Sequence, residues 1–165
     1  MEEIAFGLMM SNCNFLWVVR SSEENKLPPH FISNVQDRRL VVKWCSQPRI
    51  LAHPAVSCFM AHCGWNSILE ALSCAVPIIG VGLWGDQHIN AKFIEDVWKV
   101  GVRVRVGDIK REEIAKLVAE VLHGDKGKEL KINACEWKEL VEEAVGKGWS
   151  STKNVDAFVS RILGS

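Results

Sequence analysis

Three short clusters of polar and aromatic residues interrupt the apolar runs of this chain. They are Trp44-Cys45-Ser46-Gln47, His62-Cys63-Gly64-Trp65-Asn66-Ser67 with Glu70 just beyond, and Trp84-Gly85-Asp86-Gln87. Each falls where an apolar, strand-like run gives way to a helical pattern. The middle cluster carries the most chemistry. A helix start exposes unpaired backbone N–H groups and the positive end of the macrodipole, which suits a phosphate. Gly64 lets the backbone come close to a ligand, and His62 can donate to a phosphate oxygen. Asn66 and Ser67 add side-chain donors, so a diphosphate could be held there without a metal. Glu70, one helical turn after Asn66, could accept both hydroxyls of a ribose. Trp44 offers a flat face to a planar base. Asp86 and Gln87 supply the acceptor and mixed donor–acceptor groups that suit sugar hydroxyls.

The elements that must position these clusters can be read from apolar spacing. Glu2 to Met10 has helical periodicity, and Phe15-Leu16-Trp17-Val18-Val19 reads as a buried strand of the kind found in parallel sheets. Ser21 to Pro29 reads as a polar loop. Further strands are expected at Leu40 to Lys43, Val56 to Ala61, Pro77 to Val81 and Val102 to Val106, with helices at Trp65 to Ser73 and from about Gln87 to Trp98. Strands alternating with helices imply an α/β fold with a doubly wound parallel sheet, Rossmann-like. Ligands of such sheets bind beyond the carboxyl ends of the strands, which is where the three clusters lie. The last third reads as all helix, in three apolar stripes: Ile114 to Leu122, Leu130 to Ala144 and Val155 to Leu163. Gly146-Lys147-Gly148 separates the last two.

Bulk composition narrows the classes. The 165 residues fit one domain, and 48% apolar content can build a core. Twenty basic side chains balance twenty acidic ones, so no polybasic surface for nucleic acid or an anionic membrane is expected. No apolar run is long enough for stable membrane insertion. Six cysteines without a C-x-x-C pair read as buried thiols of a cytoplasmic protein rather than a disulfide framework.

Each residue also has a plainer reading. Ser67-Ile68-Leu69-Glu70 spells a capping box, in which Glu70 reaches back to its own helix start. Trp44 alone would pass for a core aromatic, and His62 for a buried histidine or a zinc ligand beside Cys63 and Cys58, although the spacing fits no common zinc motif. Trp17, Trp98 and Trp137 lie on apolar faces and read as core. His53, before Pro54, reads as a turn residue. Gly80-Val81-Gly82-Leu83-Trp84-Gly85 spells G-x-G-x-x-G, the mark of an NAD(P)-binding oxidoreductase. Against it, Asp86 sets a carboxylate where pyrophosphate should meet the helix. Trp84 is bulky in what should be a compact turn, and Arg103 and Arg105 stand where an acidic residue is needed.

Trp44 to Gln87 resembles the signature box of plant family 1 UDP-dependent glycosyltransferases. That box opens on Trp-Cys-x-Gln, holds His-Cys-Gly-Trp-Asn-Ser-x-x-Glu in its middle, and ends in Asp-Gln. All three parts stand here in order, at the box's full length. The similarity continues through Phe15 to Arg20, Asn90 to Val104, and the tail from Arg111 to Phe158. It implies the C-terminal half of a GT-B type glycosyltransferase with a helical C-terminal tail from about residue 110. In that half Trp44 would stack on uracil and the Cys45 backbone would bind its edge. Gln47 and Glu70 would bind ribose. His62, Asn66 and Ser67 would hold the diphosphate with the backbone of Gly64 and Trp65, and Asp86 and Gln87 would bind the sugar.

The terminal Gln87 implies UDP-glucose as donor, transferred with inversion to a small plant metabolite, with no cofactor and no metal. The resemblance also places the general base and the acceptor pocket in an N-terminal domain outside residues 1–165. The chain would then be an incomplete donor-binding domain that begins inside a helix, inactive by itself, with the apolar stripe around Phe158 partly exposed. A chain that binds UDP and transfers nothing is the alternative. The sequence departs from the family pattern at Ala75, which replaces a common glycine, and at Gly82, which replaces a common proline and would loosen the loop presenting Asp86 and Gln87.

Overall fold

Short apolar runs rich in β-branched and aromatic residues become strands. They are β1 (Phe15–Val18), β2 (Arg39–Val42), β3 (Phe59–Ala61), β4 (Ile78–Gly80) and β5 (Gly101–Arg103). A computed structural model describes residues 1–35, 38–105, 107, 109–146 and 149–164. Every strand pairing in it is parallel. β1 runs beside β2 from Phe15↔Arg39 to Val18↔Val42, and the other three strands form a sheet in the order β3-β4-β5.

Alternation along β4 divides the core. Ile79 and Val81 face a cluster with Val102 and Val104. It is closed by Leu8 of α1 (Glu2–Met10), by Ile114, Leu117, Val118 and Val121 of α6 (Arg111–His123), and by Leu130 of α7 (Asp125–Val145). Ile78 faces the other way, towards Ile68, Ala71 and Leu72 of α4 (Trp65–Ser73), Ala91 of α5 (Gln87–Lys92), and Ile94, Val100 and Ala134. Helices thus cover both faces of the parallel strands, and the fold is the expected Rossmann-like α/β arrangement. α7 serves both layers, through Leu130 and Ala134.

α1 is held to α6 by polar as well as apolar contacts. The Glu3 carboxylate accepts from the N–H of Arg111, the first residue of α6, at 2.8 Å and from its guanidinium. A neighbouring element thereby caps an orphan helix donor. The same guanidinium holds the Glu3 carboxyl below the usual carboxylate range, and it lies 4.4 Å from the centre of the Phe6 ring.

The structure redraws several expected boundaries. β3 is shorter than Val56 to Ala61. Phe59 N–H donates to the carbonyl of Pro77, and Pro77 has no N–H with which to extend the ladder. β5 ends at Arg103, and Val106 lies outside the described residues. β1 and β2 end one residue earlier than expected, and β4 is trimmed to its middle. The parallel ladder also separates into two pieces instead of running as one five-stranded sheet. Ser21 to Pro29 is not all loop, because Ser21–Lys26 forms a 3₁₀ helix. Two helices were not expected, α2 (Phe31–Asn34) and α3 (Gln47–Leu51).

The helix expected from Gln87 to Trp98 is α-helical only to Lys92. Phe93–Val97 is a π-helical turn, with the Trp98 N–H donating to the Phe93 carbonyl at 2.8 Å. α8 (Ser150–Leu163) follows the break expected at Gly146-Lys147-Gly148, of which Lys147 and Gly148 lie outside the described residues. Its stripe of Val155, Phe158, Val159, Ile162 and Leu163 is exposed.

Trp98 stands at the end of the π turn, its ring 5.7 Å from Phe93, 6.1 Å from Trp65 and 5.9 Å from Trp137. The Trp137 indole N–H donates to the Trp98 carbonyl at 3.2 Å. Both tryptophans, like Trp17, are half-buried as core edges. His53 takes the turn role expected of it, its Nδ1 accepting from the Ala55 N–H at 3.2 Å.

Ala75 explains why a glycine suits its place. It follows α4 with φ 53°, in the left-handed region that costs an L-residue about 1–2 kcal/mol. Ala75→Gly is therefore expected to stabilise the fold by about 0.5–1 kcal/mol, once the greater freedom of glycine in the unfolded chain is counted. Urea unfolding of both chains checks this, and an unchanged or lower midpoint would refute it.

Candidate functional site

The first loop leaves β2 through Lys43, Trp44, Cys45 and Ser46 and enters α3 at Gln47. Proline at the second position starts that helix readily, since its missing N–H would be an orphan donor there. Trp44 is 78% exposed, a large flat ring with a free face. Read as a core aromatic, Trp44 would be buried, and it is not.

The second loop leaves β3 and turns sharply. Cys63 is fully buried with φ 62°, and Gly64 caps α4 in an extended conformation with no side-chain cap. The first helical bond is Ile68 N–H to the Gly64 carbonyl at 3.2 Å. The N–H groups of Trp65, Asn66 and Ser67 consequently have no partner within the helix. His62, Gly64, Trp65, Asn66 and Ser67 line a cavity of about 330 Å³ over this helix start. A β-carbon on residue 64 would stand 2.6 Å from His62 Nε2, so glycine allows the imidazole to lie close over the turn. A larger concavity between Glu24 and Ser33 contains none of the predicted site residues.

Glu70 does not close a capping box. Its Oε2 accepts from Gln47 Nε2 at 2.7 Å, and the same amide nitrogen lies 3.2 Å from Ser67 Oγ. The plainer reading of Glu70 is thereby excluded. Instead, the pair expected to share a ribose is already joined across α3 and α4.

The third loop bears Trp84, Gly85 and Asp86 and enters α5. Gln87 is 6% exposed, and its Oε1 accepts from the N–H of Leu83 at 3.1 Å and of Trp84 at 3.4 Å. Its carbonyl oxygen therefore holds the loop, leaving Nε2 as the group with which it could meet a sugar. The loop beside Gly82 is pinned through this bond. Asp86 occupies the α5 cap position, so a carboxylate does stand where the dinucleotide reading needs phosphate. Asn90, one turn on, donates to Asp86 Oδ2 at 2.9 Å and to the Cys63 carbonyl at 3.0 Å. Sequence reasoning did not single out Asn90. Its signal was an amide four residues after a carboxylate, on the same helix face.

The three clusters therefore converge, bridged by Gln47 on one side and Asn90 on the other. The cysteines supply no nucleophile here. Burial pushes the Cys63 thiol up to about 11 and the Cys58 thiol, beside Cys13, up to about 12. All six cysteines are free. Cys63 is buried as expected, whereas Cys135 is exposed, because it lies on the outer face of α7. No group of three or more metal-ligating side chains occurs among the described residues, and no helix among them is long and apolar enough to cross a membrane.

A Rossmann-like sheet with an anion-ready helix start, a ribose-ready carboxylate and an open tryptophan defines a nucleotide-binding α/β domain of the kind found in GT-B glycosyltransferases. Residues 1–137 match the family described as UDP-glucoronosyl and UDP-glucosyl transferase. The chain belongs to that family. Mogroside I-E synthase of Siraitia grosvenorii is 48% identical over 165 residues, covering 98% of this chain and 36% of its own length. UDP-glycosyltransferase 74E2 of Arabidopsis thaliana is 51% identical over 163 residues, covering 97% and 36%. The structure of Os79 from O. sativa in complex with UDP superposes with a TM-score of 0.92 at 40% identity, over 96% of this chain and 36% of that one. The chain thus spans just over a third of the length of these relatives.

Proposed function

We propose that residues 1–165 form an incomplete C-terminal donor-binding domain of a UDP-glycosyltransferase, with the signature box at residues 44–87 and a helical tail from about residue 110. The observation that carries this reading is the cavity over the α4 start, where three unpaired N–H groups meet His62, Asn66 and Ser67. Trp44 stacks on uracil and the Cys45 backbone meets its edge. Gln47 and Glu70 hold the ribose, and Gly64 with Trp65 completes the diphosphate cradle. Asp86 and Gln87 bind the hexose, with glucose favoured by the amide of Gln87.

In the reaction, an acceptor oxygen forms a bond to the anomeric carbon as the bond from that carbon to the β-phosphate oxygen breaks, with inversion. The electron pair leaves with UDP, and the negative charge growing on the phosphate is stabilised by His62 and the helix start. No metal is needed, since these donors supply the positive field. The base that takes the acceptor proton, and the pocket for a small plant metabolite, belong to the part of the relatives that this chain does not span. The free cysteines suit a cytoplasmic setting.

Titration calorimetry with UDP, and separately with NAD, tests the reading. Binding of UDP but not NAD is the expected result. Folded protein that binds neither, or that prefers NAD, would sink it. A second reading, UDP binding without transfer, follows from the chain's span. It predicts no glucosyl product from UDP-glucose and a phenolic acceptor, and detectable product would eliminate it.

A further inference from the structure

The side chain that joins the second and third loops has no role in the reading above. We infer that Asn90 is a positioning residue, clamping the diphosphate turn to the sugar loop so that the two halves of the donor site are set as one unit. The inference rests on the donor-site reading for its functional consequence, but the clamp itself is visible without ligand.

Asn90 sits on the second turn of α5 and its amide nitrogen carries two hydrogens. One bonds to the Cys63 carbonyl at 3.0 Å and the other to Asp86 Oδ2 at 2.9 Å. Both partners are acceptors, so only the nitrogen, and not the amide oxygen, can face them. Each bond controls something different. Cys63 is held with φ 62°, a conformation that persists only when its surroundings enforce it. The Cys63 carbonyl and the Gly64 N–H belong to one planar trans peptide. Fixing the carbonyl towards α5 fixes the Gly64 N–H on the opposite side, and Gly64 lines the cavity over the helix start. Asp86 makes no cap bond to its own helix. Asn90 aims the carboxylate instead, engaging Oδ2 and leaving Oδ1 for a sugar hydroxyl. A side chain that touches neither ligand would thus set both the phosphate-binding backbone and the sugar-binding carboxylate.

Asn90→Asp keeps the size and shape of the side chain but removes the donor and faces Asp86 with a second carboxylate. Packing alone would survive this change and a clamp would not. Hydrogen–deuterium exchange is read on peptides covering residues 62–68 and 83–90, with residues 114–121 as a control for global opening. Both loop segments are expected to exchange faster while the control does not change. UDP-glucose affinity is expected to fall by about 10-fold and UDP affinity by about 3-fold, the scale of one or two lost hydrogen bonds.

Unchanged exchange in either loop would overturn the clamp, as would equal losses for UDP and UDP-glucose. If the control segment also opens, Asn90→Ala, which adds no charge beside Asp86, decides by the same criteria. A parent chain that binds neither ligand would count against the donor-site reading alone, and the exchange data would still decide the clamp.

Discussion

With alanine at position 62, UDP affinity should fall about 10- to 100-fold while uridine affinity barely changes. The asymmetry follows from position. His62 lies at the end of β3, over Gly64 and beside the unpaired donors of α4, so its ring would meet phosphate and not base. A hydrogen bond to a charged group is worth about 1.5–3 kcal/mol, which gives a loss of that size. Trp44→Ala should behave differently. Stacking on a base is worth about 1–3 kcal/mol, and its loss should weaken uridine, UMP and UDP by the same factor. Calorimetry with the three ligands against both variants checks the pair of assignments. Equal loss of uridine and UDP in the His62 variant would remove His62 from the phosphate site. A Trp44 variant that binds uridine normally would remove Trp44 from the base.

The second large effect concerns the scaffold. Gly101→Ala is expected to destabilise the chain by about 3 kcal/mol, the upper part of the usual range for overpacking a core. A β-carbon there would stand 2.1 Å from the Ile78 carbonyl oxygen and 2.6 Å from Ile94 Cγ2. The first contact is with backbone and cannot be relieved by a rotamer change. Relief requires parting β5 from β4, in a ladder where Ile78 pairs with Gly101 itself. Because Val81 and the third loop follow β4, the variant should also bind UDP-glucose less well at temperatures where it remains folded. Urea unfolding at matched conditions gives the stability change. A loss below about 1 kcal/mol would show that the sheet yields more easily than its geometry implies.

Much of this was legible in the sequence because the relevant signals are local. The strand β4 and the helix α4 follow from one unbroken apolar run and one 3.6-residue stripe, and the phosphate role of residues 62–67 follows from polar groups at a helix start. What the sequence hid depends on partners far along the chain. Glu70 has a capping-box spacing, and only its contact with Gln47, 23 residues earlier, shows that its carboxylate is used elsewhere. Gln87 reads as a sugar ligand, but its burial and its bonds to the loop amides divide its amide between two tasks. α3 escaped notice because five residues starting Gln47-Pro48 show no apolar period. Asn90 was passed over because its importance lies in what it joins, the second and third loops, and neither partner advertises the other. The Cys135 exposure was missed for the opposite reason: a cysteine on a long amphipathic helix looks buried until the covered face is known.

The π turn at Phe93–Val97 bears on how the gene can vary. Such a turn holds one residue more than the α-helical turn it replaces. Losing any one of those five would restore regular helical spacing and rotate everything beyond by about 100°. Trp98 would swing out from between Trp65 and Trp137, and Val100 and Gly101 would enter β5 on the wrong face. Substitution within the turn can be tolerated wherever a side chain faces solvent, as Val97 does. A single-codon deletion cannot. Among descendants of this sequence the stretch between Gln87 and Gly101 should therefore drift in composition while keeping its length, a constraint set by the aromatic stack and not by any ligand.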